Sequence, residues 1–160
     1  MLTIPDFVEP GKPSCYTKGS MTYSYDGWNY SIVLKRGEEL ISCLQDFIAE
    51  TDVKAGWVSV IGGATEFELG FYDLEKKTYE WREFEGLAEI TSLQGNISRD
   101  EHGKPFLHLH GTLSDETFQT VGGHVKRLVV GGTCEIFIHE FRQPMERQFD
   151  EETGLRTIKL

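Results

Sequence analysis

A single segment of the chain has the periodicity of a helix, and this limits the fold more than any other sequence feature. Between Glu38 and Thr51, apolar residues recur at the spacing of one helical face, at Leu40, Ile41, Leu44, Phe47 and Ile48. Glu38 and Glu39 lie at the start, where the positive end of the helix dipole favours acidic side chains. We therefore predict an α+β fold in a single domain, with a mostly antiparallel, curved β-sheet and one main helix on one face.

Strand-like segments separated by turn-forming residues make up most of the remaining chain. An Asp26-Gly27 turn divides the aromatic and β-branched segment 23–34 into a predicted hairpin. The apolar segment Trp57–Ile61 follows the helix and completes a strand–helix–strand opening. Beyond Gly62-Gly63 we expect a short helical turn within 114–121 and strands over 65–73, 78–84, 88–98, 106–114, 127–130 and 134–141.

Length and cysteine usage favour one domain that folds without covalent cross-links. A chain of 160 residues can bury a core large enough for this. The three cysteines are widely spaced and include no Cys-x-x-Cys, so they match neither a disulfide framework nor a structural zinc pattern. Residues 1–19 are assigned to an irregular N-terminal arm and residues 20–160 to the domain.

The charge balance and the hydropathy bear on partners and location. Sixteen basic and twenty-six acidic residues give a net charge of −10. Because nucleic-acid affinity comes largely from Lys and Arg neutralising phosphates, this charge disfavours a nucleic-acid partner. No apolar stretch approaches the length that spans a bilayer, and the first residues lack the features of a signal peptide. The expected location is the cytoplasm, with no membrane partner.

A His-x-His pair lies within a segment that alternates like a strand. Since alternate side chains of a strand share a face, His108 and His110 lie together, opposite the apolar Leu109. His124 lies fourteen residues after His110 and directly follows a glycine pair. Glycine permits the close backbone approach that a third ligand would need. Spacing alone leaves two interpretations open, a three-nitrogen metal site or histidines with ordinary structural roles. His139 is interpreted as structural.

Several motifs, in order along nearly the whole chain, resemble the plants and prokaryotes conserved (PPC) domain, a family often described as DNA-binding. The resemblance rests on short segments that include the histidine motifs. They are Arg36–Leu40, Ile61–Ala64, Glu89–Ile97, Pro105–His110, Gly122–Val125, Thr133–Ile136 and the tail Arg147–Leu155.

The resemblance implies a stand-alone prokaryotic member of the family. Such proteins form homotrimers with an α+β fold, and the histidines at positions 108, 110 and 124 bind a divalent metal, zinc being the expected one. Plant relatives lack these histidines and carry basic AT-hook segments beside the domain. This chain has the histidines and no such segment, which favours a metal-related function over a DNA-binding one.

Three imidazoles with no nearby cysteine leave one position of a tetrahedral zinc ion open. Such a position holds water, whose pKa zinc lowers to roughly 7, or a small ligand. Glu89 is a candidate for a fourth ligand or a nearby carboxylate. Arg36 and Lys126 are candidates for holding a small anionic ligand beside the metal.

Three functions remain open on the sequence. The first is a metal-binding homotrimer that holds a small anionic or carbonyl ligand, with or without catalysis. The second is a DNA-binding transcriptional regulator. In the third, the metal only stabilises the assembly.

Overall fold

The structure is a computed structural model that describes residues 14–18 and 21–159. These residues contain one helix. Helix α1 spans Leu40–Thr51 and is preceded by Glu39, whose carboxylate accepts hydrogen bonds from the backbone N–H groups of Ile41 and Ser42 at 3.0 and 2.8 Å. This N-cap satisfies backbone donors that have no partner within the helix. The predicted helix is confirmed, beginning two residues later than expected. No helix in the described ranges is long and apolar enough to cross a membrane.

Nine strands make up most of the rest. Seven form one sheet in the order β1-β2-β3-β7-β4-β5-β6, with every pairing antiparallel. The N-terminal end of β7 also pairs with β6, so the sheet curves back on itself. The strands are β1 Ser14–Lys18, β2 Met21–Tyr25, β3 Asn29–Lys35, β4 Gly56–Asp73, β5 Thr78–Arg99, β6 Pro105–Ser114, β7 Thr120–Glu140, β8 Arg147–Asp150 and β9 Leu155–Ile158.

The α+β architecture with a curved antiparallel sheet and one main helix is thus confirmed. Strands β3 and β4 lie on either side of β7 and α1 connects them, which is the predicted strand–helix–strand opening. The helix packs on one face of the sheet and buries Leu40, Leu44 and Phe47 completely. The helix leaves the opposite face of the sheet uncovered.

Three predicted breaks in the strands are absent. We expected the chain to interrupt its strands at Gly62-Gly63, between 84 and 88, and near Gly131-Gly132, yet β4, β5 and β7 run through these positions with shifts in register. Gly62 has a φ of +142°, and a Cβ there would overlap the carbonyl oxygen of Thr133. The glycines therefore allow bulges that bend long strands, and do not end them.

The predicted helical turn within 114–121 is wrong. Strand β6 extends to Ser114, and a tight turn closed by the backbone hydrogen bond from Asp115 N–H to Gln119 C=O leads directly into β7. The Asp115 carboxylate accepts hydrogen bonds from the backbone N–H groups of Thr117 and Gln119, which favours this turn over a helix.

The expected N-terminal arm, residues 1–19, lies outside the described residues apart from 14–18, and these form β1 against β2. At the other end, β8 and β9 form a small separate hairpin that the strand pattern did not predict. Because β8 contributes Arg147 to the site described below, this hairpin positions part of the functional surface.

Candidate metal centre

Two adjacent strands bring the three histidines together. On β6, His108 and His110 share one face, while Leu109 and Leu113 point to the core and are each 1% exposed. The antiparallel register of β6 and β7 places His124 directly opposite His110. A Cβ at Gly123 would lie 2.7 Å from the carbonyl oxygen of Gly70, so glycine lets β7 fit closely between its neighbours, as the sequence suggested.

The ring nitrogens lie at the scale of a single metal ion. One nitrogen from each histidine lies within 4.8 Å of the others, and Nε2 of His108 is 3.1 Å from Nε2 of His110. Two ligands at zinc–nitrogen distances of about 2.0–2.1 Å are separated by about 3.3 Å in a tetrahedral site. The His108–His110 pair already has nearly this separation, and the His124 nitrogen lies within 4.8 Å of both.

Partial burial favours the neutral form of these three side chains. It lowers the pKa of His108 and of His124 to about 4, with smaller contributions from the other charges of the cluster and from Arg147. It also lowers the pKa of His110. At neutral pH all three imidazoles therefore carry free lone pairs, the form that binds zinc and similar divalent ions.

His124 provides a test of whether a metal fits the cluster. Its Nδ1 is buried and has no hydrogen-bond partner among the described groups. Buried polar atoms without partners are uncommon in folded proteins and often mark a missing ion or water. The orphaned nitrogen, the neutral rings and the short His108–His110 separation together fit a divalent metal.

Arg147 is a site residue that the sequence analysis did not single out. Its Nη2 lies 3.3 Å from Nδ1 of His108, and its side chain also donates to Ser98, Asn96 and the backbone carbonyl of Arg156. A guanidinium only donates, so this contact uses the Nδ1 lone pair of His108 and goes with the tautomer that carries its proton on Nε2. Ligation through Nε2 uses the other tautomer, with the proton on Nδ1, and would replace this contact with Arg147.

A cavity of about 660 Å³ opens beside the histidines. Its walls come from the β4–β5 hairpin, β6, β7 and the β8–β9 hairpin, and they include His108, His124 and Arg147. Tyr79 and Trp81 stack on each other with ring centroids 4.7 Å apart, and their centroids lie 5.0 and 6.0 Å from that of His124. The candidate metal centre thus faces a space large enough for a small molecule.

The remaining predicted site residues lie elsewhere. Glu89 is exposed and pairs with Ser114, four residues from His110, which corresponds to about 13 Å along a strand. Arg36 is exposed in the turn before α1. The neighbouring Gly37 bonds to Val130 on β7, six residues from His124, which is about 20 Å along a strand. The structure brings neither Glu89 nor Arg36 to the histidines.

Lys126 lies nearer to the centre but has partners of its own. Its Nζ is 2.8 Å from a carboxylate oxygen of Glu68 and 4.8 Å from the ring centroid of Trp81. His139, interpreted as structural, has its Nδ1 2.7 Å from the side-chain oxygen of Asn29 and belongs to another part of the sheet.

Comparison with known proteins gives consistent matches. The sequence model of the Plants and Prokaryotes Conserved domain family, abbreviated PCC or PPC, matches residues 21–142. A metal-containing protein from Archaeoglobus fulgidus has a similar structure, with 34% identity, a TM-score of 0.77 and coverage of 84% of this chain and 94% of that one.

Two further solved structures show similar agreement. A candidate DNA-binding protein from Ralstonia eutropha is 32% identical, with a TM-score of 0.80 and coverage of 86% of this chain and 95% of that one. A plant- and prokaryote-conserved protein from Pyrococcus horikoshii is 27% identical, with a TM-score of 0.77 and coverage of 96% and 98%. Comparison with curated proteins found no match.

Proposed function

Since the chain belongs to the Plants and Prokaryotes Conserved (PCC) domain family, we propose that it is a metal-binding protein. In this proposal one zinc ion per chain is held by His108, His110 and His124, and one coordination position is open to a small ligand. The observation that carries the proposal is the convergence of three neutral ring nitrogens within 4.8 Å beside a cavity. A relative at 34% identity described as metal-containing supports it.

The donor set favours zinc with an exchangeable position over a closed structural site. In the described part of the chain, the candidate ligand group consists of three histidines and includes no thiolate or carboxylate. Structural zinc sites are usually closed by four protein ligands, whereas three protein ligands are typical of sites that keep a position for water or substrate. Zinc bound there would supply Lewis acidity, acting on a bound water or carbonyl group.

The chain's own residues would prepare such a site by keeping the ligands neutral. Partial burial lowers the pKa of all three imidazoles. The cavity is large enough for a small molecule. Its described lining contains no aspartate or glutamate to act as an acid or base, so the proposal is one of ligand binding.

We also propose that the protein is a homotrimer, the assembly that the family resemblance implies. The sheet face opposite α1 exposes large apolar side chains, and Trp57, Ile61, Phe137 and Val33 are each 45–50% exposed. Extended apolar patches on a surface mark interaction sites. The cross-strand pairs Phe137–Ser59, Ser59–Gln94 and Gln94–His110 place this patch on the same face as the metal centre.

A DNA-binding regulator is the second candidate, and the description of the Ralstonia eutropha relative favours it. The net charge of −10 opposes it, because phosphate contacts need clustered Lys and Arg.

Cobalt substitution tests whether the metal position is open. Cobalt(II) takes zinc sites and has a visible spectrum that responds to its ligands. We expect the cobalt-loaded protein to change its spectrum on addition of azide, and the change to require all three histidines. A cobalt spectrum that azide does not alter would indicate a closed structural site and contradict the proposal.

A further inference from the structure

The cavity beside the three histidines has a lining charge opposite to that of the whole protein. Its charged wall residues are Lys77, Arg147 and Arg156, and its described lining includes no aspartate or glutamate. This occurs in a chain with twenty-six acidic and sixteen basic residues. A wall that selects cations from an acidic sequence indicates an anionic occupant.

Arg147 is the buried cation of this wall, whereas Lys77 and Arg156 are exposed. Its side chain is 5% exposed, and its described hydrogen-bond partners, Ser98, Asn96, His108 and the Arg156 carbonyl, carry no formal negative charge at neutral pH. Arg156, by contrast, forms a bidentate pair with Glu101 at 3.1 to 3.2 Å. A buried guanidinium is costly unless it is paired, so an anion that enters the cavity would relieve this cost.

The position of Arg147 places that anion beside the metal centre. Nη2 of Arg147 is only 3.3 Å from the ring of His108, so a group bound to the guanidinium is adjacent to the three-histidine cluster. Three neutral imidazoles do not offset the charge of a divalent ion, and Arg147 adds a further positive charge. Both charges favour the same ligand group. Four of the five N–H groups of Arg147 are engaged by its described partners, so one Nη1–H and the positive charge remain to receive a carboxylate oxygen.

Part of the cavity wall is aromatic. Tyr79 and Trp81 stack with ring centroids 4.7 Å apart, and Tyr72 meets Tyr79 edge to face with centroids 4.9 Å apart. Gly70 leaves the space for the stack, because a Cβ there would lie 2.5 Å from the ring of Trp81. This wall suits a flat apolar group on the ligand.

We propose that this cavity binds a small carboxylate that bears an aromatic or similarly flat apolar group, with Arg147 receiving the carboxylate and Tyr79 and Trp81 contacting the flat group. The inference rests on the proposed function, because it names the class of ligand for that site. It adds Arg147, Tyr79 and Trp81 as specificity-determining residues.

Benzoate, benzamide and acetate are the probes that test the inference. Each would be titrated by calorimetry or protein-observed NMR into zinc-loaded and zinc-free protein at about 0.15 M salt, where non-specific surface attraction is largely screened. Benzamide keeps the ring and removes the charge, and acetate keeps the charge and removes the ring. We expect benzoate to bind at least about tenfold more tightly than either, because benzamide loses the charge-assisted contact and acetate loses the aromatic contact.

Variants assign the two contributions to residues. Arg147→Lys keeps a positive charge but removes the guanidinium N–H directed at the carboxylate, and should weaken benzoate at least about tenfold. The matched control, Arg82→Lys, alters an exposed arginine next to Trp81 on β5 and should leave benzoate binding unchanged. Trp81→Leu should weaken benzoate and leave acetate unchanged, and it tests the cavity even if the Arg147 variant fails to fold.

Three outcomes would overturn the inference. The first is equal binding of benzoate and benzamide, and the second is unchanged benzoate binding in folded Arg147→Lys. The third is no benzoate binding at about 10 mM, where even a weak small-ligand site is measurable. Zinc content measured on the same samples separates the two proposals. If zinc is present and benzoate does not bind, the ligand inference alone fails. If zinc is absent while Arg147-dependent benzoate selectivity remains, the metal proposal alone fails.

Discussion

His108, His110 and His124 are suited to bind a metal because burial opposes their protonation. Their rings lie close together with no described carboxylate among the candidate ligands, so each added positive charge would be desolvated and would repel its neighbours. This environment keeps the donor nitrogens free at neutral pH. It also means that the metal-free protein loses stability when these residues are forced to take up protons.

The pH dependence of the metal-free protein follows from these shifts. Burial lowers the pKa of His108 and His124 to about 4 in the folded state, whereas an unfolded histidine titrates near about 6.5. Between these values the unfolded chain binds more protons, so the free energy of unfolding should fall as the pH falls from about 6.5 to 4. Urea denaturation in chelator across this range, compared with the same series for the double variant His108→Asn/His124→Asn, isolates the effect. Parallel pH profiles for the two proteins would contradict it.

The residues of the site differ in how far the sequence could predict them. Alternation along β6 places His108 and His110 on one face, and a glycine pair indicates the close approach of His124, because both are local properties. Arg147 comes from β8, thirty-seven positions beyond His110 in the printed sequence. Its contact with His108 depends on how a small separate hairpin packs, and no local pattern encodes that packing.

At the scale of elements, the β5–β6 pairing holds the His-x-His segment in place. Gly95 lies opposite Leu109, and a Cβ at this position would overlap the backbone carbonyl of His108. The absence of a side chain therefore lets the two strands approach at the exact level of the metal site.

A glycine substitution tests this role. Gly95→Ala should push β6 away from β5, reducing the free energy of unfolding by about 3 kcal/mol, as expected for forced overpacking against backbone, and weakening zinc binding. Gly132→Ala is the matched control, because its Cβ would meet nothing within 4 Å. Denaturant melts and zinc titrations of both variants measure the effect. A Gly95→Ala protein as stable as the Gly132→Ala protein would contradict this account of the strand pairing.

The long strands show where element prediction failed and why. Glycine pairs usually punctuate structure, so the sequence indicated breaks where β4 and β7 continue through bulges. A bulge and a strand end have the same local signature, and only the pairing partner distinguishes them. The helix and the Asp26-Gly27 hairpin were predicted correctly because capping, periodicity and turn chemistry are contained within each segment.

At the scale of the whole molecule, the exposed apolar face and the acidic charge lead to two predictions. The first concerns assembly. We expect light scattering to give a mass near three times 18.2 kDa, and Phe137→Glu to shift the protein toward monomers, since a charge at the centre of an apolar interface is costly. Leu74→Glu, in the β4–β5 turn and 60% exposed, should have no such effect. A wild-type monomer at micromolar concentration would refute the trimer.

The second concerns DNA. Three chains at −10 each would carry about −30, which repels a polyanion. We expect fluorescence anisotropy to detect no binding of duplex DNA at about 0.15 M salt. Submicromolar binding that weakens steeply as salt is raised would instead support the regulator.

The metal content of the purified protein tests the central claim most directly. Protein prepared without chelator and without a nickel-binding tag would be analysed for metals by mass spectrometry, beside His110→Ala and the control His139→Ala. The account predicts about one zinc per chain in the wild type and in His139→Ala, and a loss of most of it in a folded His110→Ala. Wild-type protein that neither contains nor takes up a divalent metal, or His110→Ala with undiminished zinc, would contradict the account.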